Sequence, residues 1–489
     1  MSHWPIAPIL VPFFAALLAL PLGLRGQRIV SLVATVLLAL VAALLLARAH
    51  GGAEVYELGN WPAPFGIVLV ADRLAALMVA VGALVALACV WHAARGWDER
   101  GRDFHALFQF QLAGINGAFL TGDLFNLFVF FELLLIASYC LLQHGGGGTR
   151  RIAGVHYVVL NLVGSVLFLV AVALIYGALG TLNLADIAQR LAHAGEAQMP
   201  AVHAAALLLL VVFALKAAVL PLFFWLPATY GAAAPPVAAL FVALSKVGVY
   251  AILRVHGSAL GTDVALAATL TAWLMPAALA TVLAGALGAL VAATLRELAG
   301  YLAIGSSGLL LTAVALGGAE GYLAAQFYLP GSVIALAALF LLADGVAACR
   351  GEAGDSIARA SPVRAHVFVA WLFFVLAIAA AGLPPLTGFM GKALLLKAAA
   401  VAPSAAWVFA IVLVGSLLTL IALARAGIAV FWHVSDAPAA APQPWRLAHP
   451  PAALLAGALL VLALFAGPVA DYAARSAAAL AGGAEVASR

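Results

Sequence analysis

Apolar runs of eighteen or more residues recur from one end of this 489-residue chain to the other, separated by short polar or basic stretches. A run of that kind has one stable outcome, a helix that satisfies its own backbone while crossing the hydrocarbon of a bilayer. With 66% hydrophobic and 9% charged residues and a mean hydropathy of +1.16, no soluble domain of this length is open to the chain. The fold class is all-α and polytopic, a single membrane domain over 1–489.

About fourteen spans can be laid along the sequence. They fall near Pro5–Leu24, Ile29–Ala47, Asp72–His92, Phe104–Leu120, Gly122–Leu142 and Ile152–Gly177, with two more in Val211–Arg254. The rest lie near Val264–Thr294, Leu298–Gly317, Gly321–Val346, His366–Lys397, Trp407–Trp432 and Pro451–Ala474. The opening lacks a basic n-region and leads straight into another long span, so it reads as a retained helix and not as a cleaved signal peptide. Trp61 and Phe65, in a polar connection before the third span, suit a membrane interface. Thr181–Met199, the most polar internal stretch, reads as a short surface helix or loop.

Arg25, Arg28, Arg95, Arg100, Arg102, Arg150, Arg151, Arg296, Arg350, Arg359 and Arg364 all fall in odd-numbered loops. By the positive-inside rule those loops are cytoplasmic and both termini lie outside. The net charge of +4 is small and scattered, which excludes a nucleic-acid surface. Cys89, Cys140 and Cys349 share no metal-ligand spacing, so no disulfide, metal site or cofactor is expected.

Against this apolar background the lysines are informative. There are only four, Lys216, Lys246, Lys392 and Lys397, and the first three sit within spans, whereas the nineteen arginines mostly sit at span ends. Arginine keeps its proton under almost any condition, while a desolvated lysine can release one near neutral pH. A cation at mid-membrane costs about 2.5 to 3.5 kcal/mol on insertion scales and is by default a functional residue. Lys397 is better read as reaching the headgroups. Glu132, nine residues beyond Asp123 in the fifth span, stands about 13 Å further along the helix, near the bilayer centre, so a cation from another helix is its expected partner. Pro221 and Pro227 interrupt the segment after Lys216, and Pro384 and Pro385 interrupt the twelfth span before Lys392. Pro221 costs its helix a backbone hydrogen bond, which should leave a carbonyl free beside Lys216. Discontinuous helices seven and twelve, with lysine and proline in opposite order, are consistent with two repeats of opposite topology.

These strings carry a resemblance. TGDLFNLFVFFELLLIASYCLL, the LK-x8-WLP…PPVAALF…SKVGVYAILR arrangement and GLPPLTGFMGK resemble the D-type subunits of the multisubunit Mrp/Pha-type monovalent cation/proton antiporters over about Trp61–Arg425. WLPATYGAAAPPVAALF and LAGYLAIGSSG lie closer to the Pha branch, which is associated with potassium efflux, and the fold is similar to the antiporter-like subunits of NADH–quinone oxidoreductase.

The resemblance implies fourteen helices with inverted five-helix repeats over 104–256 and 264–432 in a bacterial inner membrane. It implies a proton-translocating subunit that works with other antiporter subunits, exchanging H+ for K+ or Na+ without cofactor or nucleic acid. It further implies that Glu132 pairs with Lys216 and that Lys246 and Lys392 continue a polar axis. Relatives commonly carry a histidine and often a lysine in the eleventh span, where this chain has Gly331 and Leu336. Between Lys246 and Lys392 the axis must then use water and hydroxyls such as Ser306, Ser307, Ser332 or Tyr328, with Asp123 a further polar candidate. The alternative is an antiporter-like subunit of a redox-driven pump, which would share every buried charge. A membrane-embedded lipid enzyme is disfavoured, because no paired carboxylates or histidine cluster sits at an interface.

Overall fold

The computed structural model describes residues 2–357, 367–432 and 449–482. Arg359, Arg364 and His366 lie outside the described residues, as does most of the proline-rich stretch before Pro451. The chain opens with α1 (Ala7–Ala19) and α2 (Leu24–Arg48), followed by a hairpin of β1 (Glu54–Glu57) and β2 (Val68–Ala71). Next come α3 (Arg73–Ala93), α4 (Phe104–Leu120), α5 (Leu124–Gln143), α6 (Gly148–Leu179) and a short α7 (Leu184–Leu191) in the polar stretch where a short helix or loop was expected. After α8 (Met199–Ala217) and α9 (Trp225–Ala232), α10 (Pro235–Ala251) runs on into a π-helical segment, Ile252–Ala259. The second half holds α11 (Val264–Val291), α12 (Leu295–Leu316), α13 (Gly318–Arg350), α14 (Val367–Ala381), α15 (Thr387–Ala399), α16 (Ala405–Gly427), α17 (His449–Leu464) and α18 (Ala466–Ala481).

Ten of the described helices are long and apolar enough to cross a membrane, and an eleventh span is formed if α17 and α18, bent by 79°, count as one. This is an all-helical membrane protein. Its helices are apolar outside and mixed inside, as lipid requires. On α6, Val155, Val159, Leu162 and Val166 are exposed, while Asn161, Gly164, Ser165 and Phe168 of the same helix are buried. Helix α10 is buried on every side and forms the centre of the first half. Small residues let backbones meet: a β-carbon at Gly285 of α11 would stand 2.3 Å from the backbone nitrogen of Gly305 on α12.

Short side chains satisfy the first free N–H groups of several helices, which lipid would otherwise leave unpaired. Asp72 caps α3 by accepting from Ala75 N at 2.8 Å, and Asp123 caps α5 by accepting from Asn126 N at 2.8 Å. Trp61 and Phe65 sit exposed in the connection between β1 and β2, in keeping with an interfacial position.

Two long-range polar contacts were not evident from the sequence. Arg254, in the π-helical segment, is buried and makes a two-pronged pair with Asp72, one contact at 2.7 Å, while its Nε donates to Tyr250 at 3.1 Å. Asp344 accepts from Trp97 Nε1 at 2.8 Å and contacts His92 Nε2 at 2.9 Å, which ties the end of α13 to α3.

At the arginine-rich end, Arg28 Nε donates to Asp98 at 2.6 Å and His105 Nε2 lies 2.9 Å from the same carboxylate. Burial alone would push the Asp98 carboxyl up, but the Arg28 and His105 hydrogen bonds override it and hold it at about 2. A lowered folded-state pKa gives stability that is full above the ordinary value and is lost as pH falls through the folded value. Solubilised protein should therefore lose an increment of thermal stability between pH 3.8 and about 2 that Asp98→Asn does not show. Equal slopes for the two proteins in that window would remove Asp98 as the cause.

Candidate functional site: a row of buried lysines

Three of the four lysines are buried, Lys216 and Lys392 to more than nine-tenths and Lys246 completely. Lys397 is exposed and pairs with Glu320 at 3.2 Å, as a lysine reaching the headgroups would. Helical geometry explains why Lys392 and Lys397 part company: five residues turn the side chain through about 500°, to a different face of α15.

Lys216 occupies the last turn of α8, which ends where Ala218 takes a left-handed conformation. The break between α8 and α9 contains Pro221, as expected, but Pro227 lies in the first turn of α9, where a missing N–H costs nothing. Other backbone groups at the break find side-chain partners. Leu215 O is taken by the indole of Trp225 at 3.1 Å, and Leu220 N donates to Thr281 Oγ1 of α11 at 2.9 Å. Side chains thus satisfy backbone groups that the break exposes.

The direct Glu132–Lys216 ion pair is not formed in this structure. Lys216 Nζ donates to Asn161 Oδ1 at 3.0 Å, and the Asn161 amide is oriented by its own donation to Tyr157 O at 2.8 Å. Glu132 accepts a hydrogen bond from Ser165. Asn161 and Ser165 are one turn apart on α6, so that helix stands between carboxylate and amine and offers each a neutral partner. Lys216 Nζ also lies 5.8 Å from the ring centroid of Phe131, the residue beside Glu132. Asn161 and Ser165 escaped the sequence reading because isolated neutral polar residues are tolerated in spans; their i, i+4 spacing was the available signal.

Glu132 is only half-buried. Phe125, Val129 and Ile136, which share its helical stripe, are exposed. It therefore lies at the flank of the chain.

Lys246, midway along α10, donates to Ala303 O at 3.1 Å and Ser307 Oγ at 2.8 Å, both on α12. Lys392 donates to Ala381 O at 2.6 Å and Ser416 Oγ of α16 at 2.8 Å. Ala381 is the last residue of α14, so this ammonium sits at the negative end of a broken helix. Gly382, at φ +76°, makes the approach possible: a β-carbon there would stand 2.8 Å from the Lys392 side chain. Pro384 and Pro385 occupy the gap between α14 and α15, as expected.

The candidate linkers divide. Ser307 holds Lys246, whereas Ser306, Tyr328 and Lys392 line a cavity of about 20 Å³ with Ser416 and Thr419, space for about one water. Ser306 Oγ is buried there without a protein partner. Ser332 instead donates to Leu329 O of its own helix at 2.9 Å, and Asp123 is committed to its cap. At Gly331 a β-carbon would meet Thr387 Oγ1 at 2.4 Å, so α15 fills the space that a histidine would need.

Among the described residues no buried lysine touches a carboxylate; all three rest on neutral acceptors. Arginines take the carboxylates instead, as in Arg28–Asp98, Arg254–Asp72 and Arg296–Asp355. An amine held by neutral acceptors can be charged or uncharged without orphaning an anion.

A family model described as NADH:quinone oxidoreductase/Mrp antiporter, TM matches residues 121–419. The chain is 41% identical over 511 residues to the D-type subunit of a probable K(+)/H(+) antiporter of Rhizobium meliloti, covering 96% of this chain and 94% of that one. It is 39% identical over 441 residues to the D-type subunit of a Na(+)/H(+) antiporter of Alkalihalophilus pseudofirmus, covering 88% and 87%. Among solved structures it is similar to a chain of the Mrp complex from Dietzia sp. DQ12-45-1b, with TM-score 0.87, 28% identity and complete coverage of both chains. By its sequence, and in agreement with its architecture, the chain belongs to the NADH:quinone oxidoreductase/Mrp antiporter transmembrane family.

Proposed function

We propose that the protein is the proton-translocating subunit of a multisubunit monovalent cation/proton antiporter in a bacterial inner membrane, exchanging H+ for K+ or Na+. The observation that carries this reading is the row of three buried lysines on neutral acceptors. The names of its relatives agree with it. In the proposed cycle, a proton arriving at Lys246 repels positive charge at Lys216 and favours release there, while Glu132 takes up or steadies the moving charge. Ser307, Ser306 and the cavity beside Tyr328 extend the row to Lys392, in place of the missing histidine.

The finer architecture belongs to the same proposal. The short apolar α1, α4 and the broken α14–α15 bring the spans to fourteen, with inverted repeats over 104–256 and 264–432. The breaks after Lys216 and before Lys392 are their matching elements. The arginine-rich loops face the cytoplasm and both termini lie outside. Glu132 on an uncovered flank, with Phe125, Val129 and Ile136 exposed around it, calls for a neighbouring subunit, since a carboxylate is not left to lipid.

The intact complex, reconstituted in vesicles, is expected to show proton flux driven by a K+ or Na+ gradient, and the chain purified alone little. Robust cation-driven flux from the single chain would move the cation path into this subunit. Flux that ignores cation gradients but follows quinone reduction would favour a redox-driven pump instead.

A further inference from the structure

The row of lysines needs an exit, and α10 offers one at its far end. His256 lies in the π-helical segment that continues α10, ten residues or about 15 Å beyond Lys246, roughly half the thickness of a bilayer core. It stands at the end of the bundle opposite the arginine-rich loops. His256 is 8% exposed, and neither ring nitrogen has a hydrogen-bond partner in the protein. Two unsatisfied nitrogens in an apolar pocket would be costly, and buried polar atoms of this kind are normally met by water.

The space for that water is present. His256 lines a cavity of about 260 Å³ bounded by Leu210 of α8, Ala267 and Thr271 of α11, Tyr322 of α13 and the glycine turn Gly317–Gly318. Exposed residues, Thr271 and Gly318, stand at its rim. The Tyr322 side chain lines the same cavity, its hydroxyl 3.3 Å from where a β-carbon of Gly257 would be. At Gly261 a β-carbon would collide with His256 O at 2.2 Å, so the wide π turn that places the ring also requires that glycine. Such turns inside otherwise regular helices often mark functional sites. The nearby charges are already engaged: Arg254, two residues earlier, is bound to Asp72 and Tyr250.

We propose that this cavity is a hydrated proton port and that His256 is its relay, passing protons between Lys246 and the face of the membrane opposite the arginine-rich loops. In each transfer one ring nitrogen accepts a proton from a port water while the other releases one to water on the lysine side, so the imidazole returns to its neutral state with its tautomer exchanged. A turn of the ring restores the starting form. Tyr322 holds the port water in place. The proposal rests on the proton-translocating reading above and adds an opening to it.

Chemical rescue in the intact complex separates a relay from a structural histidine. His256→Ala should lower cation-driven proton exchange at least tenfold while the complex still copurifies, and millimolar imidazole added on the port side should restore a large part of it. The Ala267→Phe variant keeps His256 but fills the cavity; it too should lose exchange, and imidazole should not help it. Undiminished exchange in assembled His256→Ala, or a loss that imidazole does not relieve, would overturn the relay. If His256→Ala does not assemble, Ala267→Phe decides, with normal exchange overturning the port. Lys246→Ala, assayed alongside, separates this proposal from the one beneath it. Loss in Lys246→Ala with normal exchange in both port variants removes the port and leaves the lysine row standing. Normal exchange in Lys246→Ala removes the row itself.

Discussion

Replacing Glu132 by alanine is expected to abolish exchange while leaving the complex assembled. The structure gives the reason for both halves of that result. Glu132 is half-buried and is held by the Ser165 hydroxyl, with no arginine or lysine among its described contacts, so removing it orphans no buried cation. The hydroxyl left behind can turn to a carbonyl of its own helix, which limits the loss to about 1 kcal/mol. Transport should nonetheless fall by about two orders of magnitude or more, the scale on which one positioned proton-transfer group acts. Glu132→Gln, which still accepts from Ser165, should assemble as well as the native chain and transport no better than Glu132→Ala. Normal exchange by an assembled Glu132→Ala complex would remove this carboxylate from the mechanism. A complex that fails to accumulate would make it a brace for the fold.

Much of this arrangement was legible in the residues because lipid leaves so few choices. Long apolar runs had to be helices, Pro221, Pro384 and Pro385 fall in breaks as expected, although Pro276 and Pro330 sit inside continuous helices, and lysines placed deep in spans had to be partnered. The partners were harder to see. A buried cation and a buried carboxylate in neighbouring spans invite a direct pair, yet α6 intervenes with Asn161 and Ser165, neutral residues whose importance depends on which face they present. Ser416 was missed for the same reason: nothing local distinguishes a serine holding Lys392 from one bonding to its own helix, as Ser332 does. Arg254 looked like the end of a span because its partner, Asp72, is 182 positions away. That pairing is a property of the fold, and no periodicity encodes it. Lys397 could be separated from Lys392 in advance, since helical phase alone puts them on different faces.

Lys216 is where the stability role and the transport role can be taken apart. Its ammonium rests on Asn161, and α6 approaches closely at Gly164, where a β-carbon would stand 2.8 Å from the side chain of Leu215. Arginine at this position keeps the charge, can still donate to Asn161, and cannot release its proton at physiological pH. Lys216→Arg should therefore fold and assemble, with a modest packing cost. Lys216→Ala should accumulate somewhat less well. The cause is the Asn161 carbonyl left without a donor, at about 1 to 3 kcal/mol, and not the larger cost of a stranded carboxylate, because Glu132 has Ser165.

The central claim is that protons pass through the amine of Lys216. It is tested most directly by the initial rate of cation-driven proton exchange in vesicles carrying equal amounts of assembled native and Lys216→Arg complex. The account predicts a rate in the arginine variant nearly as low as in Lys216→Ala, at undiminished complex content. A rate close to native would contradict it, since a side chain that never gives up its proton would then be sustaining the exchange.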